Sequence, residues 1–308
     1  MKKFFKITLV NTIFIVISIL LIEFIALFTI YREEIYHIKN EKLNMPTNFS
    51  FWFQNLSQKY MQDSYFDLEE FRPIVGQEYS NPGILLLGCS FTYGEKLEIN
   101  QTFQYKLSHL TKRPVYNLGL SAASIREMLY ILRNDDIRQK LLPDDSNIDY
   151  VIYTYIFDQI PRLYGDVYRN PSPLFLPTEN FSKLEFRETK NTFKRTYINF
   201  LISRHFAFMA KQEPAFKLLR LYLTETKKEI DKLYTKKDKT PKFVLFVYHQ
   251  KYNFDWVKLY QDGIIVINAD KLVDIDLMSQ EYRILNDPHP NEKAWEVIVP
   301  ALVKELDL

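Results

Sequence analysis

Ile84-Leu85-Leu86-Leu87-Gly88-Cys89-Ser90-Phe91-Thr92-Tyr93-Gly94 is the stretch on which the fold turns. Four consecutive apolar residues followed by a glycine read as a short buried strand. Gly88 and Gly94 permit a tight turn that exposes the Ser90 hydroxyl and aims neighbouring backbone N–H groups at one point. Taken alone, a loop serine is more often a cap or turn residue than a nucleophile. A phosphate-binding loop fits worse, because no Gly-Lys-Ser/Thr follows.

Outward from this strand, short apolar runs alternate with amphipathic stretches. Thr102 to Leu110 reads as a helix and Pro114 to Asn117 as a second strand. Ser124 to Lys140 reads as one helix, with Ile125, Met128, Leu129 and Leu132 along one stripe. Tyr150 to Phe157, Lys242 to Tyr248 and Ile264 to Asn268 supply three more strands. Asn291 to Leu306 closes the chain as a helix with Ala294, Trp295, Ile298, Ala301 and Leu302 on its inner side. The alternation predicts an α/β fold: three layers, doubly wound, around a mostly parallel five-stranded sheet of flavodoxin-like type. Residues from about 159 to 240 break the rhythm with Pro171, Pro173 and Pro177 and a Lys-rich helical stretch of about 194 to 237. They read as an insertion over the sheet's active edge, inside one domain spanning 81–308. Residues 32–80 form a connector, charged from Arg32 to Lys42 and then aromatic.

The chain has 308 residues, 47% hydrophobic and 25% charged, enough for a sizeable core. A formal net charge of +2 gives no electrostatic support for nucleic-acid binding. Cys89 is the only cysteine, which excludes an internal disulfide and a thiolate metal cluster. No His/Asp/Glu cluster has metal-ligand spacing, so neither metal nor cofactor is expected.

Ile7 to Ile30 is almost unbroken in apolar residues. At roughly 1.5 Å per residue it extends about 36 Å, enough to cross a hydrocarbon layer of roughly 30 Å with some tilt. Lys2, Lys3 and Lys6 precede it, whereas Arg32 is followed at once by Glu33 and Glu34. That bias predicts a single-pass anchor within residues 1–31, with a cytoplasmic N-terminus and everything after it periplasmic or extracellular. A cleaved signal peptide fits poorly, since the run is long and no small-x-small site follows it. Glu23, near the outer end of the run, is the kind of group that marks a helix partner or reaches toward headgroups.

Gly88-Cys89-Ser90-Phe91, taken with Asn286-Asp287-Pro288-His289-Pro290-Asn291 just before the last helix, resembles the opening and closing blocks of the SGNH/GDSL hydrolases. The resemblance spans about residues 82 to 306, with Cys89 where the family usually has aspartate. It implies a triad in which His289 takes the Ser90 proton and Asp287 orients the imidazole. Tyr116-Asn117-Leu118-Gly119-Leu120-Ser121-Ala122 is similar to the second block; alignment puts Ala122 at the glycine that donates an N–H to the oxyanion, with Gly119 three residues earlier. An Ala122 N–H serves if that residue keeps φ below zero.

In the third block Phe157 takes the place of a side-chain donor, a loss that typically costs roughly 100- to 1000-fold in rate. Gln159 is the candidate replacement, and Asp158 a candidate for a positional role. His249, at the end of its strand, is a rival base or a pocket-lining residue. The Asp-x-His spacing is one residue shorter than the commoner Asp-x-x-His.

The resemblance implies a serine esterase acting on acyl or acetyl esters through an acyl-enzyme. The predicted location adds cell-envelope glycans or lipids as substrates. Two other functions stay open: an O-acyltransferase for an exported polysaccharide, and a degenerate domain with a binding role and a partner in an envelope assembly.

Overall fold

A computed structural model describes residues 68–142, 147–163, 174–177, 183–187, 212–236, 239–250 and 254–308, together with Ser18. The strands are β1 (Gly83–Leu87), β2 (Val115–Asn117), β3 (Ile148–Ile156), β4 (Leu174–Pro177), β5 (Leu184–Arg187), β6 (Lys242–His249) and β7 (Ile264–Asn268). Five of them form one sheet in the order β2-β1-β3-β6-β7, and every neighbouring pair is parallel. β4 and β5 pair with each other as a separate antiparallel hairpin.

The three layers follow from the strand pleat, which sends alternate side chains to opposite faces. Leu85, Leu87, Val151, Tyr153, Tyr155, Leu245 and Val247 share a core with the helices Ile125–Arg133 and Gln212–Tyr234. Ile84, Leu86, Ile152, Val244 and Phe246 share the other with the helices Phe103–Thr111 and Glu292–Leu306. β1 is wholly buried because both of its faces are covered. On the second face Phe103 stacks on Trp295, ring centroids 4.8 Å apart. That contact ties the helix after the serine segment to the final helix.

Several elements differ from the sequence expectation. The helix foreseen from Ser124 to Lys140 is two helices, Ile125–Arg133 and Asp135–Leu141. Asn134 leaves the helical region (φ −101°, ψ 103°), and its side chain accepts from the Ile137 N–H, so it ends one helix and caps the next. Within 159–240 the long helix is Gln212–Tyr234. Its Phe216, Leu219, Tyr222, Leu223 and Ile230 enter the first core, so it forms a layer of the fold.

Residues 68–80, part of the expected connector, belong to the sheet's own unit. Val75 bridges Val115 antiparallel. Arg72 donates to the carbonyls of Tyr93 (3.2 Å), Gly94 (2.9 Å) and Leu97 (2.9 Å). The compact unit that contains the sheet comprises Asp63–Thr189 and Ser203–Leu308. Among the described residues no helix is long and apolar enough to cross a membrane. The run expected to do so, residues 7–30, lies outside the described residues apart from Ser18.

Candidate active site

The strand order reverses direction between β1 and β3, and ligands of open parallel sheets bind outside the carboxyl ends at such a point. Ser90 stands there. It is the first residue of a four-residue helix, Ser90–Tyr93, with Cys89 in the N-cap position. Cys89 is fully buried and makes no side-chain cap bond, so it packs there as a small apolar residue. The first-turn N–H groups of such a helix have no intrahelical acceptors.

Gly88 makes the turn possible. Its φ is +153°, and a Cβ there would lie 2.1 Å from Thr92 Oγ1. Thr92 Oγ1 in turn donates to the Leu87 carbonyl at 3.3 Å, closing strand, turn and helix into one piece.

His289 Nε2 lies 2.7 Å from Ser90 Oγ. The other ring nitrogen, Nδ1, contacts Asp287 Oδ1, and the same oxygen accepts the His289 backbone N–H at 2.8 Å. With Nδ1–H donating to a carboxylate, Nε2 carries the lone pair and the serine hydroxyl donates to it. The short Asp-x-His spacing suffices because residues 284–289 form a tight turn. Ile284 N–H donates to the His289 carbonyl (2.9 Å) and Asp287 N–H to the Ile284 carbonyl (3.0 Å). Asn286 takes the left-handed conformation this needs (φ 59°), and asparagine tolerates it at little cost. Asn291 then caps the final helix through the Ala294 N–H. The Phe91 ring, 5.0 Å from the imidazole, covers one side of it and packs edge-on against Tyr248.

A residue not singled out from sequence completes the set. Lys96 Nζ donates to Asp287 Oδ2 at 2.8 Å. Burial alone would raise the Asp287 carboxyl, but hydrogen bonds from His289 and Lys96 outweigh it and hold the group well below the usual carboxylate range. A depressed folded-state value means that Asp287 adds stability above the ordinary carboxylate pKa of about 4, stability lost as the pH falls below it. Asp287→Asn is therefore expected to flatten the decline in melting temperature between about pH 4 and 2. Melts across that range in both forms check it.

The expected oxyanion donors are rearranged. Gly119 N–H is spent on Asn117 Oδ1 at 2.8 Å. Asn117 Nδ2 meanwhile donates to the Thr92 carbonyl at 2.9 Å, tying the second block to the Ser90–Tyr93 helix. Ala122 does not keep φ below zero: it sits at +60°, where alanine is strained by roughly 1–2 kcal/mol. Its neighbour Ala123 is gripped through its carbonyl by the buried Arg162 at 2.8 Å.

Gln159 is fully buried, its Nε2 donating to the Thr154 carbonyl (3.1 Å) and its Oε1 accepting from Tyr153 Oη. Its amide therefore serves the end of β3, not an oxyanion. Asp158 is exposed. Phe157 packs edge-on against His249, centroids 5.4 Å apart. His249 also acts electrostatically on Asp270, whose carboxyl burial pushes up and the histidine draws down. Neither His249 nor Asp158 takes part in the Ser90–His289–Asp287 chain of hydrogen bonds.

No protein-family model matches the chain, and no curated protein matches it. Solved structures similar to it at low identity include three esterase-type proteins. One is a protein assigned to the G-D-S-L lipolytic family from Desulfitobacterium hafniense DCB-2, at 11% identity and TM-score 0.39 over 73% of this chain and 99% of that one. The second is the psychrotrophic esterase EstA from Pseudoalteromonas sp., at 11% and 0.40 over 74% and 97%. The third is a two-domain esterase active on acetylated mannans, co-crystallised with mannopentaose, at 13% and 0.39 over 73% and 49%.

Proposed function

We propose that this protein is a serine hydrolase that cleaves carboxylic esters through an acyl-enzyme at Ser90. The observation that carries this is the continuous chain Ser90 Oγ, His289 Nε2, His289 Nδ1, Asp287 Oδ1 at the sheet's switch point. Ser90 Oγ attacks the ester carbonyl carbon while its proton passes to His289 Nε2. Asp287 holds the Nδ1–H tautomer and stabilises the imidazolium. As the tetrahedral adduct collapses, the ester C–O bond breaks and Nε2 returns the proton to the leaving alkoxide. Water then repeats the sequence on the acyl-enzyme.

The N–H groups at the start of the Ser90–Tyr93 helix are the donors assigned to the oxyanion, since Ala122, at φ +60°, does not meet the condition under which its N–H would serve. The proposed substrates are acyl or acetyl esters of cell-envelope glycans or lipids. That choice rests on the apolar run 7–30 and the lysine bias before it, which would hold the domain outside the cytoplasm as a single-pass membrane protein.

The test is a fluorophosphonate probe applied to the full chain. Labelling at Ser90 is expected, and Ser90→Ala should neither label nor hydrolyse p-nitrophenyl acetate above background. Absence of labelling in the native chain overturns the proposal. Labelling retained in Ser90→Ala moves the nucleophile elsewhere.

A further inference from the structure

The nucleophile and the base come from opposite ends of the domain, and one side chain outside the triad joins them directly. Lys96 lies in the turn that follows the Ser90–Tyr93 helix, at φ 61°, and reaches across 191 residues of sequence to Asp287 Oδ2. The two carboxylate oxygens are thus divided. Oδ1 serves His289, through both its ring and its backbone N–H, and Oδ2 is left for Lys96.

In a short Asp-x-His turn the carboxylate closes on its own backbone. Nothing on that segment holds the second oxygen, so rotation about the carboxyl bond would swing Oδ1 off the imidazole. The turn that presents Lys96 is itself fixed, because Arg72 binds the carbonyls of Gly94 and Leu97 on either side of it. The Arg72 guanidinium also lies 4.4 Å from the Tyr93 ring centre.

Building on the esterase mechanism above, we propose that Lys96 is a positioning residue: it pins the free oxygen of Asp287 and so sets the orientation of His289 toward Ser90. Its ammonium also keeps the carboxylate ionised, as the depressed Asp287 value reflects. The charged groups acting on Asp287 are His289 from its own turn and Lys96 from the serine segment. Across the imidazole stand Ser90 and Phe91, then Tyr248 from the end of β6, itself in the field of Asp270 and Arg283. The Lys96 hydrogen bond is one of the causes that lower the Asp287 carboxyl, so losing it lets the proton that quenches that carboxylate bind at higher pH.

Lys96→Met and Lys96→Arg in the full chain test this. Lys96→Met is expected to slow fluorophosphonate labelling of Ser90 by about ten- to a hundredfold at neutral pH. Its acid limb should move to higher pH, while the melting temperature at pH 7 changes little, since the lysine side chain is 43% exposed. Lys96→Arg should restore most of both. A readout independent of turnover is the low-field proton resonance of the His289 Nδ1–H···Asp287 bond. It is expected to persist in the native chain and in Lys96→Arg and to broaden in Lys96→Met. A native labelling rate, an unmoved acid limb and an unchanged resonance in Lys96→Met overturn the proposal. A native chain that shows the resonance but never labels refutes the esterase mechanism instead, with the resonance in Lys96→Met still deciding the role of Lys96.

Discussion

Replacing His289 with alanine is expected to slow acylation of Ser90 by about four orders of magnitude or more. A serine hydroxyl at neutral pH is a poor nucleophile, and His289 Nε2, 2.7 Å away, is the base placed to remove its proton. Stopped labelling with a fluorophosphonate, or the burst phase with p-nitrophenyl acetate, measures the rate directly. Because members of a triad act as a unit, Ser90→Ala combined with His289→Ala should be little worse than either alone. His249→Ala is the control. That imidazole packs against Phe157 and acts on Asp270, so its loss should lower the rate far less. A large loss in His249→Ala with none in His289→Ala would reverse the assignment of the base.

The second large effect concerns stability. Ser124, Arg126 and Glu127 are all essentially buried. Glu127 Oε2 accepts from the Ser124 N–H and the Ser124 Oγ, both at 2.7 Å, and Oε1 accepts from Arg126 Nε (3.1 Å) and Nη2 (2.9 Å). Glu127→Ala takes the bidentate carboxylate from a buried guanidinium and strips a helix cap, at an expected cost of about 3 kcal/mol. A fall in the urea midpoint of the full chain reads this out. Arg126→Met with Glu127→Leu removes both charges, and should recover a good part of the loss despite the missing cap. If the single variant unfolds at the native midpoint, the pair is not the brace described here.

The residues that form the sheet were legible because burial on two faces leaves a plain mark, an apolar run bounded by turn residues. All five main-sheet strands overlap the runs read from sequence, and Ser90, Asp287 and His289 stand in hydrogen-bond contact. What could not be read was whatever depends on where a side chain's second partner lies. Gln159 looks like a donor because it follows the third strand. Only its burial, and its bonds to Tyr153 and Thr154, show it to be part of the strand's end. Gly119 was open to the same error, since an asparagine two residues earlier can either point away or take its N–H. Ala122 shows the limit in backbone terms: alanine carries no signal of a left-handed φ, whereas the glycine expected there would have. Lys96 and Arg72 were invisible for a simpler reason. A surface cation in a loop has no periodicity, and its partner is set by tertiary structure alone. Asn134 was missed through weighting: the apolar stripe ran on past it, while its capping chemistry, followed by two aspartates, marked a new helix start.

The sequence separation of 199 between Ser90 and His289 also sets a schedule for the nascent chain. At about 5–20 residues per second, the nucleophile segment leaves the ribosome roughly 10–40 s before its base. Throughout that interval the serine has no general base. On the proposed mechanism the serine therefore stays unreactive until the final helix has docked.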